Sequence, residues 1–145
     1  MRIAVLFSPE AGGNSKYQRI GEILSKRLSS HEIFTCKGFC GEYYLPNAGL
    51  VSYDTADDYK SSIANMSEAL IESAPELFIC VGGDGLAAYV ADTFTKMGSK
   101  TPLMGVAGGT ANVGPITSVR PESLKYFDPM DLKLASAGAV RVKNG

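Results

Sequence analysis

The stretch that decides the fold is Leu77-Phe78-Ile79-Cys80-Val81-Gly82-Gly83-Asp84-Gly85, and apolar residues at helical spacing follow it over 86–97. The apolar run predicts a buried β-strand, and the glycines predict a turn between this strand and a helix. We expect the three glycines to let the backbone adopt φ > 0 and to let a ligand approach closely. The turn would lie at the carboxyl end of a strand, which is where open α/β sheets bind their ligands.

Asp84 is the candidate catalytic residue in this turn. The N-terminus of the following helix offers unpaired N–H groups and the positive end of a dipole, and both suit phosphate. A carboxylate beside such a phosphate site can accept a proton from a hydroxyl or help to hold Mg²⁺. The residue types therefore predict chemistry on a phosphorylated ligand.

The rest of the chain alternates between strand patterns and helix patterns. Strands are predicted over 2–7, 32–36, 50–53, 77–81 and 102–106, and helices over 15–29, 54–73 and 86–97. Ser15 with Gln18 three residues later matches a capping box, which would begin the first helix. Because strands and helices alternate, we predict an α/β fold with three layers, α/β/α, around a mostly parallel sheet.

A second glycine-rich turn, residues 107–115, follows the strand predicted over 102–106. Because the carboxyl ends of parallel strands meet at one edge, we expect both turns to face the same pocket. Thr110 and Asn112 carry hydroxyl and amide groups that can bind phosphate, ribose or a base edge. Gly12-Gly13, just before the first helix, is a further candidate anion cradle, with an ordinary tight turn as the alternative.

Composition and charge exclude several classes of protein. The 145 residues include 14 basic and 15 acidic ones, so neither nucleic acid nor a stable association with an anionic membrane is indicated. No apolar run approaches the roughly 20 residues that span a bilayer, and no signal peptide is present, so we expect a cytoplasmic protein. With three cysteines and one histidine we predict no metal ligands, and the oligomeric state, including a homo-oligomer, stays open.

The C-terminal residues are predicted to contain the end of one domain and the beginning of another. Residues 116–127 remain unassigned, and Asp128-Pro129 is typical of the start of a short helix, here to about residue 136. Residues 139–143 alternate like a half-exposed strand, and Asn144-Gly145 is a hairpin signal. We expect 1–138 to form the nucleotide-binding domain and 139–145 to begin a missing β-rich domain, with a frayed tail as the alternative.

Gly82-Gly83-Asp84-Gly85, the strand from Pro102 and the Gly109-Thr110-Ala111-Asn112 turn together resemble the ATP–NAD kinase and diacylglycerol kinase-like superfamily. The resemblance covers nearly the whole chain. It implies a Rossmann-like N-terminal domain, a β-rich C-terminal domain and an active site in the cleft between them. It also implies phosphoryl transfer with Mg²⁺ from ATP, or from polyphosphate in some NAD kinases, to a small-molecule nucleotide or a lipid.

The same resemblance implies roles for individual residues. Asp84 would lie near the acceptor hydroxyl and act as a base or orient it. The resemblance places on the nucleotide Gly82, Gly83, Gly85, Gly109, Thr110 and Asn112. Gly12 and Gly13, the possible anion cradle, complete the set of candidate nucleotide-binding residues. We expect the chain alone to be poorly active, because half of the cleft would be absent.

Two departures from the family pattern bear on the acceptor. Leu86 stands where the family usually has threonine, which would remove one hydroxyl from the pocket, and Ala87-Ala88-Tyr89 replaces the asparagine–glutamate pair of lipid kinases. The Gly-Thr-Ala-Asn turn is closer to the lipid kinases, whereas Val113-Gly114-Pro115-Ile116 is closer to the NAD kinases. The 2′-hydroxyl of NAD is the first acceptor hypothesis. A lipid kinase and a catalytically inactive nucleotide-binding regulator are the alternatives.

Overall fold

Five parallel strands form a single sheet within the part of the chain that the computed structural model describes, residues 1–11, 14–109, 112 and 114–133. The strands are β1 (Arg2–Phe7), β2 (Glu32–Thr35), β3 (Gly49–Leu50), β4 (Leu77–Gly82) and β5 (Leu103–Ala107). Three α-helices connect them: α1 (Ser15–Arg27), α2 (Tyr59–Glu72) and α3 (Asp84–Met97). The prediction of a parallel, Rossmann-like α/β fold is confirmed.

The strand order, β3-β2-β1-β4-β5, places the functional edge of the sheet. After β3 the chain crosses back to the far side of β1, so that Phe7 lies opposite Val81 on β4. The carboxyl ends of β1 and β4 therefore flank the point where the strand order reverses, and doubly wound sheets bind ligands in that crevice. On the other side of β4, Gly82 lies opposite Ala107 of β5.

Each face of the sheet has its own hydrophobic core. Successive side chains of β1 alternate between the two faces, so Val5 packs beneath α1 while Leu6 packs beneath α2 and α3. The main helix residues at these faces are fully or almost fully buried, and they are Ile20, Leu24, Leu28, Ile63, Met66, Leu70 and Val90. Helices on both faces complete the three predicted layers.

Several helix and strand ends differ from their predicted positions. The side chain of Asn14, not that of Ser15, caps α1 and accepts a hydrogen bond from the backbone N–H of Tyr17 at 2.8 Å. The second helix begins later than residue 54, because Asp58 is its cap and accepts a hydrogen bond from the N–H of Ser61. The short carboxylate or amide side chain at each cap satisfies an N–H that the first turn leaves unpaired.

After β5 the chain folds into two short 3-10 helices, Pro121–Tyr126 and Pro129–Asp131. The helix predicted from 128 to about 136 was wrong in its described part, because it is a single turn after which Leu132 and Lys133 are not helical. Its start was predicted well, since the carboxylate of Asp128 accepts a hydrogen bond from the N–H of Met130 at 2.9 Å. The strand and hairpin predicted over 139–145 lie outside the described residues.

None of the described helices is long and apolar enough to cross a bilayer.

Candidate active site

The two glycine-rich turns meet in direct backbone contact at the carboxyl edge of the sheet. The N–H of Gly108 donates a hydrogen bond to the carbonyl oxygen of Gly82 at 2.9 Å. A Cβ atom placed on Gly109 would lie 2.4 Å from the Cα of Gly83, so glycine is required where the turns touch. The expectation that both turns lie at the same edge of the sheet is confirmed by this contact.

The glycines of the first turn, residues 82–85, were predicted to be needed for a backbone with positive φ, and that reason was wrong. Among the described glycines only Gly38 and Gly98 have positive φ, and Gly83 has φ −97° and ψ −171°, which any residue can adopt. Close packing explains the small residues instead. The backbone of Gly109 lies against Gly83, and a Cβ on Gly82 would lie 2.8 Å from Cδ2 of Leu86.

Asp84 is the first residue of α3, and its carboxylate binds the end of the second turn and Thr117, which follows it. The N–H of Gly114 donates to both carboxylate oxygens at 3.0 Å, and Oγ1 of Thr117 donates to Oδ1 at 2.5 Å. The positive end of the α3 dipole favours a negative charge at this position. Asp84 is therefore held in place between the helix and residues 114–117.

An open cavity of about 300 Å³ lies beside these contacts. Its lining includes Lys16 from the first turn of α1, Ala107 at the end of β5, and residues from the segment after β5. The residues of that segment are Asn112, Gly114, Thr117, Ser118, Arg120, Pro121 and Glu122. Both cations at its border are exposed, and an ammonium and a guanidinium together suit the oxygens of a phosphorylated ligand.

Asn112 lines this cavity, but its amide is engaged within the turn. Oδ1 accepts a hydrogen bond from the N–H of Gly109 at 3.2 Å, and Nδ2 donates to the carbonyl oxygen of Gly109 at 2.6 Å. These two bonds close the turn that touches Gly83. Gly12, Gly13 and Thr110 lie outside the described residues, so their nucleotide contacts stay predictions, as does that of Asn112.

A group of buried hydroxyls supports the edge from below. The N–H of Ser8 at the end of β1 donates to the carbonyl oxygen of Val81 at 2.9 Å, and its hydroxyl lies 3.3 Å from that of Tyr59. The ring of Tyr17 lies where a Cβ on Gly108 would be, at 2.8 Å, and burial raises the pKa of this phenol to about 12. These residues fill the space beneath the glycine turns and keep their protons at neutral pH.

Leu86 faces the core and not the cavity. It is 2% exposed and packs with the residues between the sheet and helices α2 and α3. Within the described part of the chain, a hydroxyl that donates to Asp84 comes instead from Thr117, which is 33 residues further along. The substitution of leucine for the usual threonine therefore leaves Asp84 with a hydroxyl partner.

The sequence analysis missed four residues of this site: Lys16, Thr117, Arg120 and Glu122. Three of them lie in the segment that it left unassigned, and no local pattern there indicates a site. Lys16 did carry a signal, because a cation in the first turn of a helix directly after Gly12-Gly13 is well placed beside an anion cradle. That signal was not used.

The acidic groups at the site fit Mg²⁺ only together with a phosphorylated ligand. Among the described residues no group of three or more His, Cys, Asp or Glu side chains could hold a metal by itself. Glu122 lines the cavity, and Asp84 bonds two of its lining residues, Gly114 and Thr117. Because Mg²⁺ is usually bound by one or two carboxylates plus phosphate oxygens, either carboxylate would suffice to hold the ion together with a phosphorylated ligand.

A parallel α/β sheet with helices on both faces and two touching glycine turns at one edge defines a protein of the Rossmann-like α/β class. The family model for the diacylglycerol kinase catalytic domain matches residues 2–118. The chain belongs to this family, and so to the ATP–NAD kinase and diacylglycerol kinase-like superfamily, and it carries a kinase-like catalytic domain. Comparisons with curated proteins and with solved structures gave no significant match.

Proposed function

We propose that this protein transfers the γ-phosphoryl group of ATP to a hydroxyl group. The observation that carries the proposal is the position of the Asp84 carboxylate, which is bonded to the wall of a cavity bordered by Lys16 and Arg120. Phosphoryl transfer needs chiefly positioning and neutralisation of charge, and this arrangement supplies both. Membership of a kinase family supports the same reaction.

Each group at the site has a distinct role in this reaction. Lys16 and Arg120 bind phosphate oxygens, and the unpaired N–H groups in the first turn of α3 add to the positive field. The Asp84 carboxylate orients the acceptor hydroxyl and accepts its proton as the new P–O bond forms and the bond from the γ-phosphorus to the bridging oxygen breaks, which releases ADP. The carboxylates of Asp84 and Glu122 are the groups that would hold Mg²⁺ together with phosphate oxygens, and the ion would supply neutralisation of charge on the transferred group.

We propose the 2′-hydroxyl of NAD as the acceptor, with a lipid hydroxyl as the second candidate. Ala88 and Tyr89 stand where lipid kinases carry an asparagine–glutamate pair, and the net charge of −1 offers nothing to an anionic lipid surface. The match to a diacylglycerol kinase domain favours the lipid. An inactive regulator has less support, because Leu86, its motivation, is buried away from the cavity.

The proposal also implies a setting for the protein. Its partners would be small nucleotides and not nucleic acid, since neither sign of charge dominates among 14 basic and 15 acidic residues. We propose that it acts in the cytoplasm. Three free, buried cysteines are compatible with that reducing compartment.

The test is a transfer assay on the full-length protein with [γ-³²P]ATP and Mg²⁺, offering NAD and a short-chain diacylglycerol in parallel. Labelled NADP is the expected product. Labelled phosphatidate alone would select the lipid hydroxyl and refute NAD as the acceptor. ATP binding without transfer to either would contradict kinase activity and favour the regulator.

Asp84→Asn should lower the turnover number in this assay by about 10²–10⁴-fold, the usual contribution of a positioned general base. The amide cannot accept a proton, and its NH₂ group would face the N–H of Gly114. Asp92→Asn is the matched control, because it removes the same charge from the same helix at a partly exposed ion pair with Lys96, away from the cavity lining. Equal turnover in the two variants would exclude Asp84 from the chemistry.

A further inference from the structure

We propose that Thr117 is a positioning residue for Asp84, directing the carboxylate towards the acceptor hydroxyl in the cavity. This inference rests on the proposed phosphoryl transfer and names a residue outside the predicted site. Thr117 is only 3% exposed, and its Oγ1 lies 2.5 Å from Oδ1 of Asp84. Because an ionised carboxylate only accepts hydrogen bonds, the threonine hydroxyl must be the donor.

The hydroxyl is carried on a segment that the sheet holds in place. The N–H of Gly105 donates to the carbonyl oxygen of Ile116 at 3.1 Å, and the N–H of Ala107 donates to that of Val119 at 2.8 Å. A third bond returns from the N–H of Val119 to the carbonyl oxygen of Gly105 at 3.1 Å. Thr117 lies between these anchors, so its position relative to β5 is set by backbone pairing.

Close packing at Gly105 and Gly114 also restricts the position of the segment that carries Thr117. A Cβ on Gly105 would lie 2.5 Å from the carbonyl oxygen of Ile116, and one on Gly114 would lie 3.0 Å from Oδ1 of Asp84. The carboxylate is therefore approached from the sheet side by Thr117 and from the loop by the backbone of Gly114. Together these donors select one orientation among the staggered positions that an aspartate side chain can otherwise adopt.

Orientation matters here because the proposed reaction has little covalent chemistry for the protein to perform. A displacement of about 1 Å in a positioned group can cost about 10²-fold in rate. The cavity residues that bind phosphate, Lys16 and Arg120, do not bond Thr117 in the described contacts. Loss of its hydroxyl should therefore affect turnover much more than ATP binding.

The test compares Thr117→Val with Thr117→Ser in the full-length protein. Valine keeps the volume and removes the donor, whereas serine keeps the donor and removes a methyl group. We expect valine to lower kcat by about 10²-fold, with the KM and the dissociation constant for ATP nearly unchanged, and serine to restore most of the rate. Thr95→Val, on the exposed part of α3, is the matched control.

Three kinetic results would overturn the proposal. A weaker affinity for ATP at unchanged kcat in the valine variant would reduce Thr117 to part of the cavity wall. An unchanged kcat together with an unchanged affinity for ATP in the valine variant would show that the hydroxyl has no role. A serine variant as slow as the valine variant would assign the effect to the methyl group.

A second measurement separates this proposal from the proposed function. The amide resonance of Gly114 reports its bond to the Asp84 carboxylate, and it should shift in Thr117→Val but much less in Thr117→Ser. If the native protein transferred phosphate to neither acceptor, the proposed function would fail while this resonance still reported on positioning. An unshifted Gly114 resonance in the valine variant would overturn the positioning role itself.

Discussion

Gly85 and Gly109 belong to the two glycine turns, yet the structure gives them opposite constraints. A Cβ on Gly109 would collide with backbone atoms of Gly83, at 2.4 Å from Cα and 2.5 Å from N. A Cβ on Gly85 would meet nothing within 4 Å, and its φ is not in the left-handed region. The contact between the turns therefore depends on Gly109, whereas Gly85 is a helical residue with open space around it.

Gly109→Ala should destabilise the protein by about 1–3 kcal/mol and weaken ATP binding, because the added methyl group forces the two turns apart. Gly85→Ala should raise stability by about 0.5–1 kcal/mol, since alanine loses less backbone entropy in a helix. Urea denaturation of both variants measures the two changes. A destabilised Gly85→Ala together with a neutral Gly109→Ala would contradict the packing described for the edge.

At the scale of elements, the cavity wall depends on the packing of the 3-10 helix Pro121–Tyr126 against α1. Leu124 is fully buried beneath α1, and Nε of Arg27 donates to the carbonyl oxygen of Phe127 at 2.8 Å. Arg120 directly precedes this helix and borders the cavity. Helix α1 thus contributes one of the two cations of the cavity, Lys16, and holds the segment that carries the other, Arg120.

Leu124→Ala should lower the free energy of unfolding by about 2–5 kcal/mol, the usual cost of removing a buried leucine side chain. It should also weaken ATP binding, because Arg120 loses the support of the helix that follows. Tyr126→Ala is the control on the same 3-10 helix, since Tyr126 is 78% exposed and its loss should change stability by less than about 0.5 kcal/mol. If urea denaturation and calorimetry showed that the two variants lose stability and ATP affinity equally, the packing role of Leu124 would be disproved.

At the scale of the whole molecule, the core between the sheet and helices α2 and α3 keeps two titratable thiols out of water. Burial raises the pKa of the Cys36 and Cys80 thiols from 9.0 to about 12. The unfolded chain therefore loses these protons from about pH 9 upwards, while the folded protein retains them until about pH 12. The stability that comes from keeping these thiols protonated is present in full below pH 9. It falls as the pH rises from about 9 to about 12.

The free energy of unfolding should accordingly decline between pH 9 and pH 11, as measured by urea denaturation at a series of pH values. Cys80→Ala should show a shallower decline, because one of the groups with a raised pKa has been removed. The comparison is between slopes, so the overall cost of the substitution does not affect it. Parallel curves for the native protein and the variant would refute the linkage.

The strands and helices of the fold could be predicted from the sequence because the patterns that indicate them are local. The apolar run of β4, the glycines after it and the helical spacing of Val90 and Phe94 each occupy consecutive or nearly consecutive positions. Short connections and parallel pairing then place both glycine turns at one edge. The role of the glycines was predicted for the wrong reason, since backbone dihedrals in a turn depend on what packs against it.

The sequence by itself thus determined the α/β class and the edge of the sheet at which both glycine turns and Asp84 lie. Only the tertiary structure brought Lys16, Thr117 and Arg120 to one cavity and joined Thr117 to Asp84. Their approach depends on the pairing of residues 116–119 with β5 and on the burial of Leu124 beneath α1. These long-range contacts bring together residues whose spacing along the chain contains no repeated pattern, and so no local signal could reveal them.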